Sequence, residues 1–419
     1  MKLIKHTVLL LIIITISYTN ITLAEGLSAE SIGLADQHST LTGIDAIYSN
    51  PAAVNAEHNL FTLEANAGAN IRNNLFMNDF ITEDKKDYML SRIQEHGMLI
   101  STAGNVGGKL KIGPVTIFAD GKEEALVSLS PDMAELVLKG NQVEKEYDFA
   151  GTGGAGAVFA DSGINLSFNT PEEFSENIGL NSLSVGFTYH YIMGTMLKAY
   201  GNGDITVGYD EGNLPQISGN DGNIILQYSN DNLDTGELAR GQAFDIGVYS
   251  DINNKYSMGF SLLNIAGNLT AKKITEYKYV LDYDEENNTW QLIKENEGVE
   301  LNQTTIYKLP LIMKIGGKIK YNYGIDILGN YTRTSYNDNI YDTKLIDNKF
   351  ALGLEVRTLK YLPFRLGVNY STLQNDIDVT TGMGIHLGPI KADVGISDLT
   401  GLFYKSRGIE GGLNIKIAF

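Results

Sequence analysis

Long stretches of this chain alternate strictly between apolar and polar residues. From 182 to 191 the apolar set is Leu183, Val185, Phe187, Tyr189 and Tyr191, while Ser184, Gly186, Thr188 and His190 take the other phase. A period of two is the mark of a β-strand with two different faces. It returns in Phe244-Ile246-Val248, Tyr256-Met258-Phe260-Leu262, Leu352-Leu354-Val356 and Phe364-Leu366-Val368-Tyr370. It continues in Met383-Ile385-Leu387, Ile390-Ala392-Val394-Ile396 and Leu413-Ile415-Ile417-Phe419. Counted between turn signals, such runs predict about fourteen strands from near Leu60 to the chain end. Gly113-Pro114 and Gly388-Pro389 interrupt them as tight hairpin turns. The stretches 201–223, 229–240, 282–303 and 334–348 are rich in Asn, Asp and Glu and read as long polar loops.

The second phase of the late strands carries Glu355, Arg357, Arg365, Asn369, Lys391 and Asp393, with Asn414 and Lys416. A soluble sandwich turns such a face to water and buries the apolar one, whereas a membrane barrel turns it to a wet lumen and gives the apolar face to lipid. The chain start favours the barrel. Lys2 and Lys5 precede an apolar run over 8–16 broken only by Thr15, and Thr22-Leu23-Ala24 supplies small residues for cleavage after Ala24. That is a secretory signal peptide, residues 1–24. No later run reaches the roughly 18 apolar residues of a membrane helix, so a membrane crossing must use strands. Forty-five glycines and 23 tyrosines against one Trp suit tight strands with aromatic girdles.

Charge and chemistry narrow the functions. The net charge of −18 becomes −20 without the two lysines of the signal, which argues against nucleic acid, a partner that requires a basic surface. Without cysteine there is no thiol catalysis, disulfide or thiolate metal site. Gly151-Thr152-Gly153-Gly154-Ala155-Gly156 spells a dinucleotide-binding pattern but no βαβ unit surrounds it, so it reads as glycine-rich strand. The six histidines have no metal-ligand spacing, and the acids at 282–286 lack the glycine-pivoted spacing of a calcium loop. No catalytic residue, cofactor or metal is expected. The lumen charges can pair across adjacent strands or hold a headgroup, and pairing is the simpler reading.

Two segments are not wall. In Ala46-Ile47-Tyr48-Ser49-Asn50-Pro51-Ala52-Ala53-Val54, Asn50 is a good N-cap and Pro51 has its φ preset for a first helical position, so a short turn starts here. Residues 28–36 suit a short helix or coil. Further on, Pro131 to start and Gly140 to stop predict a helical insert near 130–141, whose Met133, Leu136 and Val137 could line an apolar entrance or pack on the rim. Thr170 is a candidate cap for another short helix, at 171–174.

Gly33-Leu34-Ala35-Asp36, followed by Gly43-Ile44-Asp45-Ala46 and Asn50-Pro51-Ala52, resembles the N-terminal signature of FadL-like outer-membrane barrels, including PorV-like and TraF-like branches. Ala53 stands where that family has glycine. The terminal strand ending in Phe419 is similar to the signal read by the barrel-assembly machinery. The resemblance implies an all-β, transmembrane antiparallel barrel, with 25–58 as a hatch inside the lumen and 59–419 as wall and loops. In it Asn50, Pro51, Ala52 and Ala53 shape the gate. The function implied is passive uptake of hydrophobic, long-chain fatty-acid-like molecules across the outer membrane, in contact with its lipids. The alternative is a PorV-like or TraF-like shuttle or structural partner in protein secretion or assembly.

Overall fold

A computed structural model describes residues 28–36, 38–57, 59–73, 82–93, 97–140, 142, 144–209, 215–218, 222–229, 238–284, 289–336, 345–359, 361–397 and 408–419. The segment 1–24, read from the sequence as a signal peptide, and parts of the predicted polar loops lie outside these residues. Fourteen strands close a ring, each antiparallel to the next. In chain order they are β1 (Phe61–Asn73), β2 (Met98–Ile112), β3 (Val115–Leu129), β4 (Gly153–Asn169), β5 (Ser182–Asn202), β6 (Ala239–Asp251) and β7 (Tyr256–Ala271). The ring continues with β8 (Leu311–Tyr321), β9 (Ile325–Tyr336), β10 (Leu345–Val356), β11 (Phe364–Ser371), β12 (Asp376–Leu387), β13 (Ile390–Ile396) and β14 (Gly408–Ala418). Closure is the pairing of β1 with β14, from Thr62 opposite Ala418 to Arg72 opposite Gly408. Every wall strand therefore has two neighbours, the condition for strands to lie in hydrocarbon without orphaned amides.

The direction of the two faces decides between barrel and sandwich. Along β5, Val185 and Phe187 are 44% and 41% exposed, whereas Ser184 and Thr188 are 2% and 0% exposed. The apolar phase is outside and the polar phase inside, as lipid on one side and a filled lumen on the other require. The glycine-proline turns form as the sequence predicts, joining β2 to β3 and β12 to β13, with Gly113 and Gly388 at φ +56° and +62°.

Beyond the ring, strands at 223–229 and 274–284 continue the lines of β6 and β7 past β5, and 305–308 pairs with the end of β7. Parts of the predicted polar loops are thus strand, including 204–209 and 289–294. Their polar composition hid this, although Ile205 and Ile224 on these extensions are buried. In β7 the register against β6 slips twice, between Gln242 and Phe244 and again before Ile246. Asn264 and Ala266 absorb the extra residues at φ 58° and 53°, a left-handed conformation that is uncommon for residues with a Cβ.

Residues 28–56 run inside the ring against the polar face. Helix α1 (Ala29–Gly33) is capped by Ser28, and two short 3-10 turns follow, Ile44–Tyr48 and Pro51–Asn55. The Asn50-Pro51 start forms as the side-chain chemistry predicts: Asn50 Oδ1 accepts from the Ala52 amide at 3.1 Å. Asn50 Nδ2 then donates to Ser39 O and to Val248 O on β6, both at 2.9 Å. Ala53 needs no glycine, because the left-handed residues of this segment are Gly43 and Ala35 instead.

Three further helices decorate the barrel: α2 (Glu83–Arg92), α3 (Pro131–Lys139) and α4 (Glu172–Asn177). In α3 Ser130 caps, Pro131 leads and Gly140 stops at φ 82°, as the sequence predicts. In α4 Pro171, not Thr170, holds the cap position, while the Thr170 hydroxyl is engaged by Ser175 and by the Leu183 carbonyl.

The wall approaches the N-terminal segment closely where it carries glycine. A Cβ on Gly186 would run into the backbone of Pro51 and Ala52, and one on Gly247 into the Asn50 carboxamide. Replacing Gly186 by Val should cost about 1–3 kcal/mol of overpacking and lift the segment from the wall. Limited proteolysis should then release residues 28–56 several-fold faster at unchanged β content by circular dichroism. Gly208→Ala, which meets nothing, is the matched control.

Candidate functional site

The lumen is built in two levels. The first holds the N-terminal segment by ion pairs and hydrogen bonds from strands all round the ring. Arg365 on β11 lies between Glu355 of β10 at 3.0 Å and Asp393 of β13 at 2.7 Å, with Glu30 of α1 at 3.7 Å. Lys416 on β14 pairs with Asp45, and Asn414 bonds both Asp45 and the Ala29 amide, each at 2.8 Å. Asp36 receives Thr332 Oγ1 at 2.6 Å and Asn330 Nδ2 at 2.9 Å from β9. Asn369 donates to the Ala35 carbonyl at 3.0 Å, which fixes the left-handed residue.

Of the lumen residues read from the sequence, Glu355, Arg365, Asn369 and Asp393 are buried together here. Arg357 is half-exposed, pairing with Asp326 and with Glu355 at 3.4 Å, and Lys391 lies near the rim, 3.7 Å from Glu57. The pairing reading describes all of these except Asn369, which serves the segment directly. The partners Glu30, Asp45 and Lys416 were not singled out as a set, because nothing in the sequence aligns α1 with a strand some 385 residues away.

The second level is apolar. Phe159, Ile192, Met196, Leu269, Ile274 and Leu309 form one buried cluster on the inner face of β4, β5 and β7 and the segment leading to β8. Above it α2 and α3 close a further cluster containing Met89, Ile93, Met98, Tyr147 and Phe149. The predicted entrance residues lie there: Met133 and Leu136 are buried in the cluster and Val137 packs against it. Helix α2 escaped sequence reading because it is polar and buries little besides Met89.

Where the levels meet, a chain of polar contacts runs from the N-terminal segment to the slipped register of β7. The Tyr48 hydroxyl donates to Asp120 of β3, and the Lys122 ammonium sits 4.0 Å from the Tyr48 ring centre. Lys122 pairs with Asp161 of β4 at 2.6 Å; Asp161 takes His190 Nδ1 of β5 at 3.0 Å, and His190 Nε2 faces Asp245 of β6 at 2.9 Å. Asp245 in turn accepts the Asn264 amide at 2.7 Å. A pocket opens on this chain, with Phe159, Ile192, Leu263, Leu309 and Ile312 as its apolar walls. His190, on the polar phase of β5, is buried between two carboxylates. Among the described residues no three His, Asp or Glu side chains converge as metal ligands.

Several solved structures share this architecture. The CymD monoaromatic hydrocarbon channel superposes with a TM-score of 0.55 at 11% identity, over 94% of this chain and 98% of that one. The toluene transporter TbuX of Ralstonia pickettii gives 0.52 at 11%, over 94% and 99%. A FadL homologue of Pseudomonas aeruginosa gives 0.51 at 10%, over 95% and 98%. The fold is that of the FadL-like outer-membrane barrels. No family model matches the sequence and no curated protein matches it. The likeness in architecture thus covers nearly the whole chain, at 10–11% identity.

Two outcomes follow for this FadL-like barrel. Arg365→Met leaves buried Asp393 with only His386 at 3.1 Å and Glu355 with only Arg357 at 3.4 Å, and should cost about 3–5 kcal/mol, read as a lowered guanidinium midpoint in detergent. The docked segment should also be acid-sensitive. Burial pushes the Glu30 carboxyl up, but Arg365 and Lys416, with Arg357 and Lys391, outweigh it and hold it at about 2. A carboxyl depressed from about 4.3 stabilises docking in full above that pH, and the contribution fades as pH falls through about 2. Thermal melts between pH 5 and pH 2 should show this loss, and Glu30→Gln should flatten it.

Proposed function

We propose that this FadL-like barrel sits in the outer membrane and passes hydrophobic small molecules inward without energy coupling, with residues 25–58 as the hatch. The observation that carries the reading is the inner surface that changes from ion-paired around the hatch to apolar above it. A channel for polar solutes has no use for Phe159, Ile192, Met196 and Leu269 facing its lumen, since such a lining costs water its hydrogen bonds. A greasy ligand gains from it, by roughly 25 cal/mol for each Å² of apolar surface removed from water.

The ligand we propose has a long apolar body, as in the fatty-acid-like class. It enters between α2, α3 and the wall, where Met133, Leu136 and Val137 must part, and passes to the pocket beside Tyr48. The doubled slip in β7 gives a place for exit into the bilayer, because the ladder is already interrupted between β6 and β7. Asn50, Pro51, Ala52 and Ala53 hold the hatch turn against β6 and govern how readily it shifts. The names of structural neighbours, a monoaromatic hydrocarbon channel and a toluene transporter, support a hydrophobic small molecule as the cargo.

Native mass spectrometry of the barrel extracted in mild detergent tests this. An apolar small molecule should be retained, and replacing Asn50 by Ala with Pro51 by Gly should lower its occupancy several-fold. Retention of a polypeptide and no lipid-like ligand would instead support the secretion-partner function.

A further inference from the structure

The outer surface of the wall changes polarity at the long-loop, extracellular end of β6 and β7. Even-numbered residues of β6 face outward, with Phe244, Ile246 and Val248 in the lipid-facing band, and exposed Arg240 and Gln242 continue that phase. Odd-numbered Ala239 and Ala243 are buried on the inner side. Register carries the polar rim sideways. Arg240 stands opposite Thr270 of β7 and Thr270 opposite Ile306, while Gln242 stands opposite Asn268 and Asn268 opposite Lys308. Lys308 is exposed, as is Lys272 just past the end of β7. These two rows hold no acid, and Arg240 and Lys272 have no ion-pair partner among the described residues. In a chain with 50 acids against 32 lysines and arginines, such a cationic rim runs against the field of the whole protein.

The height of the rim is that of the outer head groups. From Asp251 at the other end of β6 up to Arg240, strand geometry gives a rise of about 28 Å at a tilt of about 40°, against an apolar band of about 25 Å. Below the rim, Phe187, Tyr189 and Phe244 pack together on the same outer face, with the Tyr189 and Phe244 rings 5.4 Å apart. Cationic side chains at that depth attract anionic head groups, and the rings beneath offer apolar area to acyl chains.

Resting on the outer-membrane placement proposed above, and independently of what the barrel transports, we infer that this face holds a phosphorylated glycolipid of the outer leaflet. Its phosphates sit on Arg240, Lys272 and Lys308, and its acyl chains lie over the aromatic rings. Arg240 gives two parallel hydrogen bonds to one phosphate, while the lysines act as point charges. Gln242, exposed beside them, meets the sugar.

Three lipids isolate the head group: diphosphoryl lipid A, phosphatidylglycerol and phosphatidylethanolamine, offered separately to the full-length mature barrel in mild detergent and read as bound fraction by native mass spectrometry. Lipid A should be retained about tenfold or more over phosphatidylethanolamine, a discrimination of about 1.4 kcal/mol, and several-fold over phosphatidylglycerol. Arg240→Gln combined with Lys272→Gln removes two exposed charges and should lower lipid A retention several-fold, with heat-modifiable migration reporting an intact barrel. Lys255→Gln, in the turn at the opposite end of β6, should leave it unchanged. Equal retention of phosphatidylethanolamine would overturn the head-group inference, and equal retention of phosphatidylglycerol would overturn the commitment to a glycolipid. A wild-type preference that survives the double substitution would overturn the assignment to this face. Each of those results leaves hydrophobic uptake standing, whereas recovery of the barrel only outside the outer-membrane fraction would remove the placement and the inference together.

Discussion

The backbone of a strand in hydrocarbon must find all its hydrogen-bond partners in other strands, and this one requirement orders the rest of the molecule. An open sheet has two bare edges, so the chain closes β1 onto β14. Closure creates an interior that lipid cannot fill. The side chains facing it alternate with the lipid-facing set by geometry alone, and so they must be satisfied by one another or by something placed inside. Here the N-terminal segment is placed inside. Its own exposed amides and carbonyls find the wall, as with Ala29 on Asn414 and the Ala52 carbonyl on Ser167.

The charged interior follows from the same constraint. A lone buried charge is expensive, and a pair is tolerable only when its remaining hydrogen-bonding capacity is also met. Arg365 meets that condition by serving carboxylates from two strands and one helix. Lys109 and Glu64, buried opposite one another at 2.6 Å on the other side of the closure seam, meet it only in part, because Glu64 Oε2 has no hydrogen-bond partner. These pairs are less a source of stability than a device for holding the segment in one register, since like-sized apolar residues would let it slide. Glycines at the contacts allow the backbone of the segment to lie against the backbone of the wall, which shortens every such bond.

How much of this was legible depends on the distance over which each contact acts. The wall strands were readable because alternation is a local pattern and each run carries it by itself. The Asn50 cap was readable because its acceptor is two residues away. Glu355, Arg365 and Asp393 could be placed on one face because their strands follow one another along the chain. The Tyr48–Asp120 bond, the His190 bridge from Asp161 to Asp245 and the Lys416–Asp45 pair were not readable, because each depends on the stagger of strands or on where the segment sits inside the ring. The slip in β7 left almost no trace: Asn264 tolerates a left-handed φ, but Ala266 gives no hint of one. Helix α2 was hidden for the opposite reason, its pattern being too polar to mark a buried face.

The two ends of the N-terminal segment are held by contacts of different kinds. Contacts made only by burial of apolar surface would be non-directional and would tolerate many positions of the segment, giving a leaky seal. Contacts made only by buried ion pairs would fix it, because separating each pair leaves two uncompensated charges. In this barrel the ion pairs hold α1 and Asp45 against β10–β14, whereas the end bearing Tyr48 and Pro51 meets β3–β7 through hydrogen bonds, ring contacts and close backbone approach. The second set is the cheaper to exchange for water or ligand. The weaker set of contacts thus lies at the Tyr48 end, where the pocket and the slipped register of β7 also lie.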